Sequence, residues 1–366
     1  MMKKIKLIVS VLTVMLTAVF LAGCGSDKSA EKKEAAKEDK RIKVVATIFP
    51  EYDFLRQIGG EKIDLSMLVP PGAETHSFEP TPKDIKKANA ADLFVYVGGD
   101  SDEWVDRILK SVDNKKQSVA KLMDMVKTVE EKEIKGMTPE SHEDEDRDDH
   151  KSETKKAKDD KSEKKSDAKS GAAGDKDGKE DKDGKEEKEE KELDEHVWTA
   201  PENAIKIVRK LSEKLGRIDP DNKGYYEKNA DAYIAKLKKL DANFKKVVKN
   251  GKRREIIVGD RFPFRYFADE YKLKYYAAFP GCSTDTEASA ETIAFLTKKV
   301  KKDKIPVVFH IELSNAKVCT SICEATGAKK RQLNAIHNVT KEDFKSGAGY
   351  LSLMEQNLKT LKEALN

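Results

Sequence analysis

Residues 41–72 read RIKVVATIFPEYDFLRQIGGEKIDLSMLVPPG, and this stretch decides the fold. Lys43 to Phe49 is a short apolar run rich in β-branched residues and ended by Pro50, the pattern of a buried strand. Glu51 to Gly60 reads as a helix that stops at Gly59-Gly60. Ile63 to Val69 is a second strand, ended by Pro70-Pro71-Gly72. The same alternation continues outward. Thr81-Pro82-Lys83-Asp84-Ile85 marks a helix start with proline at the first helical position. Asp92 to Val97 is a third strand, followed by Gly98-Gly99. Strands alternating with helices predict a parallel sheet covered by helices on both faces.

The character of the chain changes from about residue 136 to 192. This segment consists largely of Lys, Asp, Glu, Gly, Ser and Ala and has no aromatic residue. It has too little apolar surface to offset its ordering entropy and reads as a long disordered loop. Order is expected to return at Leu193. A helix is predicted over Pro201 to Leu215, ended by Gly216, and a longer one over Asn222 to Val248. A second α/β series follows. Strands are expected at Glu255–Val258, Tyr275–Phe279 and Ile305–Leu313, and helices at Phe264–Tyr271, Ser289–Val300, Ala316–Thr326 and Tyr350–Leu365. The predicted architecture is two α/β lobes with mostly parallel sheets, residues 41–221 and 250–366, bridged by a long helix at 222–249.

The amino-terminal residues predict a processed lipoprotein. Lys3, Lys4 and Lys6 precede an apolar stretch from Leu7 to Phe20, too short for a comfortable membrane span. Leu21-Ala22-Gly23-Cys24 is a lipobox, so 1–23 is expected to be a signal peptide and Cys24 the lipidated residue. Residues 24–40 then form a charged tether that stands a folded body off the extracytoplasmic face of the cell membrane. Charged residues make up 38% of the 366, yet the net charge is only +4, which argues against a nucleic-acid surface. Of four cysteines, lipidation would leave Cys282, Cys319 and Cys323. No zinc site is visible around Cys319 and Cys323, so they read as structural, with a Cys282–Cys323 disulfide as one option.

Six histidines occur, and His142 and His150 fall in the charged segment. His76 follows strand and turn, and His196 sits where order resumes; ligand sites in open α/β sheets lie beyond the carboxyl ends of the strands. The contexts Pro-Gly-Ala-Glu-Thr-His-Ser-Phe-Glu-Pro around His76, Ala-Asp-Leu-Phe-Val-Tyr-Val-Gly-Gly, the charged loop and Glu-His-Val-Trp around His196 carry a resemblance. Together with the lipobox they resemble the cluster A-I metal-binding lipoproteins, substrate-binding components of zinc and manganese ABC transporters, over essentially the whole mature chain. The resemblance implies two lobes joined by a rigid helix, with one metal ion held in the inter-lobe cleft.

It also implies four ligands. His76 and His196 match the first two. A gapless match puts Arg261 on the third position, where arginine does not bind a cation, so the preceding Asp260 is expected to substitute. The fourth neighbourhood, Leu333 to Val339, offers His337. His310 is a reserve ligand. Glu312, on the same strand face, is expected either to pair with Arg261 or to orient a ligand. Three histidines and one carboxylate suit Zn2+, with Mn2+ as the alternative because manganese prefers more oxygen. The expected function is capture of zinc and its delivery to an ABC permease, by a monomer that does no chemistry. A metallohydrolase is the lesser alternative, since no His-Glu-x-x-His spacing is present. An adhesin is another, with no sequence feature to support it.

Overall fold

The computed structural model describes residues 41–75, 78–99, 102–111, 113–138, 192–283 and 287–366. The signal, Cys24, the tether, His142, His150 and nearly all of the charged segment lie outside the described residues. Among the described residues, no helix is long and apolar enough to cross a membrane.

The first lobe is built from β1 (Ile42–Ala46), α1 (Phe49–Gly59), β2 (Ile63–Met67), α2 (Pro82–Asn89), β3 (Leu93–Tyr96), α3 (Glu103–Ser111) and β4 (Ser118–Lys121). Its sheet order is β2-β1-β3-β4, every pair parallel, with Ile42 opposite Ile63 and Val44 opposite Leu93. Two helices connect the lobes, α4 (Pro201–Ile218) and α5 (Lys223–Asn250). The second lobe contains β5 (Glu255–Arg261), α6 (Arg265–Tyr271), β6 (Lys274–Phe279), α7 (Ala290–Asp303), β7 (Val307–His310), α8 (Lys317–Thr326), β8 (Lys329–Gln332), α9 (Lys341–Lys345) and α10 (Tyr350–Leu365). Its order is β6-β5-β7-β8, again all parallel. The expectation of two α/β lobes with parallel sheets and a long helix therefore holds.

Local chemistry moves several boundaries. The first strand stops at Ala46, and α1 already begins at Phe49. The Glu51 carboxyl accepts from the Thr47 hydroxyl at 2.6 Å and the Ile48 amide at 2.8 Å, turning the chain there. Gly216 does not end α4, which continues to Ile218 and stops ahead of Pro220. The expected Thr81 start is confirmed: its hydroxyl caps α2 through the Asp84 amide, and Asp84 closes the reciprocal bond.

Alternation along the strands explains the packing. Val44, Ala46, Leu93 and Val95 point into one large apolar cluster, while Val45 and Phe94 lie under Trp104, Val105 and Ile108 of α3. In the second sheet Ile256, Val258, Val307 and Phe309 enter that same large cluster, and Ile257 and Val308 lie under α7 and α8. One core thus runs through both lobes. It is filled by α1, by α4, by Tyr226, Tyr233, Leu237 and Phe244 of α5, and by Tyr350, Leu353 and Leu361 of α10.

A buried charge ties the ends of this core together. Gly349, ahead of α10, has no side chain to cap it. Asp53 of α1 supplies the missing acceptor: its carboxylate takes the Tyr350 amide at 2.7 Å, and Arg56 pairs with it at 2.6 Å. Asp53 is fully buried. Asp53→Ala removes a helix cap and strands the Tyr350 amide, so unfolding free energy should fall by about 2–3 kcal/mol, measured by urea denaturation.

Candidate metal centre

Every element of the candidate site comes from the carboxyl end of a strand or from the turn ahead of α4. Beyond β1 lie Thr47 and Ile48, beyond β2 Glu74 and Thr75, and beyond β3 Gly98, Gly99 and Asp102. From the second sheet come Asp260 and Arg261 at the end of β5, Gly281 and Cys282 beyond β6, Glu312 beyond β7 and His337 beyond β8. Parallel strands place these ends together, which is where open α/β sheets bind ligands.

His196 and His337 meet there. Their ring centroids are 4.7 Å apart at 83°, and Trp198 packs edge-on against both. Each imidazole is backed by a carboxylate. Asp194 Oδ1 lies 3.1 Å from His196 Nδ1 and also accepts the His196 amide at 2.9 Å. Glu312 accepts the amides of Ala335 at 2.6 Å and His337 at 3.0 Å, with Oε1 3.8 Å from His337 Nδ1. At His196 the carboxylate on Nδ1 fixes the tautomer and ring direction; at His337 the 3.8 Å approach of Glu312 is a charge contact. Nε2 of both rings is buried. Lobe contacts hold the pair: the His337 carbonyl accepts the Phe49 amide at 3.3 Å, and the Asn338 amide donates to Pro70 and Ala73 carbonyls. The Trp198 indole donates to the Ala335 carbonyl at 2.8 Å.

A cavity of about 20 Å³ opens beside them, lined by Ile48, Thr75, Val97, Gly98, Asp102, Glu195, Trp198 and His337. That is room for one ion or one water. Its walls are acidic. Burial pushes the Asp102 carboxyl up to about 7 although it accepts the Gly98 and Val97 amides, and the Glu195 charge adds to the rise. Burial likewise raises Glu312 to about 7 and the neighbouring Glu51 to about 8. For His196 burial works against protonation, but Asp194, Glu195 and Glu131 outweigh it and raise its pKa. Gly99, at φ 90°, is required here: a Cβ would lie 2.5 Å from Glu195 Oε2.

The sequence-derived ligands are treated unequally. His76 lies outside the described residues. His196 and His337 are brought together. Asp260 is held within its own lobe, accepting the Ser314 hydroxyl and, at 2.9 Å, the Arg261 amide. Arg261 pairs with Glu74 of the other lobe at 3.3 Å rather than with Glu312, whose carboxylate serves His337. Of the two roles expected of Glu312, pairing with Arg261 is not found, and the Glu312 carboxylate lies 3.8 Å from His337 Nδ1. His310 turns Nδ1 to the Ile311 carbonyl at 2.9 Å. Cys282, Cys319 and Cys323 are free thiols, so the Cys282–Cys323 disulfide is not formed. Cys319 packs beneath β7 and donates to the Val308 carbonyl, whereas Cys282 stands beside His196. Two residues escaped the sequence reading. Glu195 and Cys282, with His196, place their ligand atoms within 4.8 Å of one another. The free Cys282 after Gly281 and the carboxylate next to His196 were the available signals.

Residues 44–364 match the family described as zinc-uptake complex component A, periplasmic. The chain belongs to that family. It is 34% identical over 353 residues to the high-affinity zinc uptake system protein ZnuA of Bacillus subtilis, covering 96% of both chains. It is 32% identical over 362 residues to the zinc-binding lipoprotein AdcA of Streptococcus pneumoniae, covering 99% of this chain and 61% of that protein. The chain therefore spans less than two thirds of the streptococcal relative. The crystal structure of the Zn(II)-bound ZnuA-like domain of Streptococcus pneumoniae AdcA superposes with a TM-score of 0.64 at 29% identity, covering 89% of this chain and 99% of that one. The resemblance read from the lipobox and histidine contexts is to this same group of component A proteins.

Two outcomes follow from the electrostatics. Glu51, Asp102 and Glu312 titrate near 4.5, 3.8 and 4.5 when unperturbed and at about 8, 7 and 7 when folded. Their contribution to stability is complete below about 4 and is lost as pH rises through 7 to 8. The thermal midpoint of metal-free protein should fall between pH 5 and 8, and Glu51→Gln should flatten that fall, as read by calorimetry in chelator. Separately, Asp194→Asn leaves the His196 ring unoriented and should weaken metal binding by roughly 10–100-fold, measured by competition with a chromophoric chelator.

Proposed function

We propose that this protein captures zinc outside the cytoplasmic membrane and delivers it to an ABC permease, anchored through lipid on Cys24. The observation that carries the reading is the pair His196 and His337, packed edge to face in the inter-lobe crevice, with Asp194 hydrogen-bonded to the first ring and Glu312 3.8 Å from the second. Neutral imidazoles oriented in this way are zinc ligands of the tetrahedral type. Relatives named for zinc binding and zinc uptake support the same cargo. We assign His76 to a further ligand position on the family pattern; Asp260, bound to Ser314 and the Arg261 amide, is the carboxylate alternative for the last. An imidazole-rich set favours zinc over manganese, which prefers carboxylate and water oxygens. The protein acts as a monomeric carrier rather than a catalyst: it binds, holds and releases an ion.

Release requires the ligands to separate or protonate. The proton-holding carboxyls give the site its sign: a bound dication favours their ionised forms and drives protons off. Affinity should therefore rise between pH 6 and 8.

The test is competitive titration of zinc against manganese with the full chain and its His196→Ala, His337→Ala and Asp260→Ala variants. One zinc per chain is expected, unmoved by equimolar manganese and weakened by roughly two orders of magnitude or more in each histidine variant. Binding that survives both histidine changes, or an equal preference for manganese, overturns the reading. The Asp260 variant decides the carboxylate position by itself.

A further inference from the structure

The position at which relatives are expected to present a third ligand is spent on another task here. Arg261 reaches across to Glu74 and to the Ser283 carbonyl at 3.4 Å, and the neighbouring Asp260 carboxylate is taken by Ser314 and the Arg261 amide. The turn after β6 supplies something different. Glu131 Oε1 accepts the amides of both Gly281 and Cys282, at 2.5 and 3.1 Å, and so pins this turn against the His196 ring. Gly281 permits the approach: a Cβ there would lie 3.2 Å from His196 Cε1 and 3.0 Å from the Phe262 carbonyl. The next residue, Cys282, is half-buried with a free thiol. Its Sγ, a His196 ring nitrogen and a Glu195 carboxylate oxygen lie mutually within 4.8 Å. Ligands sharing one tetrahedral zinc, with bonds of about 2.1 Å to nitrogen and 2.3 Å to sulfur, stand about 3.5–3.8 Å apart.

We propose that Cys282 is a metal ligand, its thiolate joining His196 and Glu195 to hold the captured ion. This rests on the metal-capture reading and deepens it, because sulfur takes the place that Arg261 leaves unfilled. On binding, the S–H bond breaks, its electron pair forms the metal–sulfur bond, and the proton leaves to solvent. Without the ion, burial and the Glu195, Glu131 and Asp194 charges keep the thiol protonated. A thiolate also sharpens selection, since soft sulfur suits zinc and is a poor partner for manganese. Glu131 acts here as a positioning residue.

Cobalt(II) reports the ligand atom directly. The full chain in a Cys24→Ser background, loaded with one equivalent of cobalt under reducing conditions, should show a thiolate-to-cobalt charge-transfer band in the near ultraviolet. Cys282→Ser should abolish the band while visible d–d bands persist, and should lower zinc affinity at least tenfold; Cys319→Ser should keep the band. His196→Ala should remove both kinds of band. If Cys282→Ser retains the band, or wild type binds stoichiometric cobalt without one, the assignment of Cys282 fails while metal capture stands. If wild type binds no stoichiometric cobalt or zinc, both fail together.

Discussion

The burial of one face of each sheet in a single apolar core is the constraint on which the rest of the molecule depends. Two lobes with separate cores would be free to take many relative angles. Here Val44 and Val95 of one sheet share a cluster with Val258 and Phe309 of the other, and α4, α5 and α10 fill the space between them. Burial of this kind is worth about 25 cal/mol per Å², and the interior tolerates neither voids nor overlap, so the angle between the sheets is set. Once it is set, parallel pairing decides that the carboxyl ends of both sheets open into one crevice. His337 is brought there by the end of β8 and His196 by the turn ahead of α4.

Within that crevice the chemistry is one of opposed costs. Asp102, Glu312 and Glu51 are buried deeply enough to keep their protons near neutral pH, and His196 is held beside Asp194 in a region without bulk water. Burying several carboxylates without a counter-charge is expensive. A divalent cation reverses the balance, because it is the largest local charge and favours every ionised form around it. The same groups that burden the metal-free fold therefore stabilise the loaded one, which couples occupancy to the stability of the crevice.

Much of this was legible in the sequence because buried parallel strands are written as short apolar runs. Residues 43–46, 63–67 and 275–279 of the observed strands fall inside the predicted ones, and the terminal helix Tyr350–Leu365 matches at both ends. The edges were not legible. Lys329-Lys330-Arg331-Gln332 forms β8 with no apolar residue, since an edge strand needs backbone bonds and gains from charge. β4, Ser118–Lys121, buries one side chain fully and escaped for the same reason. At the site, His196 and His337 stood out because few histidines are present and their contexts are distinctive. Asp260 was chosen by proximity in sequence to Arg261. Spacing does not reveal that Ser314, far along the chain, reaches its carboxylate. Glu195 and Cys282 were hidden because their significance lies in a turn that brings β6 to the loop ahead of α4, a contact between residues 87 positions apart, 195 and 282.

Trp198 gives the crevice an optical gauge. Its indole lies 5.6 Å from the His196 ring and 5.4 Å from the His337 ring, in edge contact with both. The other of the two tryptophans, Trp104, sits in the outer cluster of the first lobe against Phe78. A protonated imidazole accepts charge from an excited indole and quenches it; an imidazole engaged by a closed-shell ion does so far less. Emission from Trp198 is thereby tied to what the two rings hold, and Trp104 supplies an internal reference that the ion does not touch.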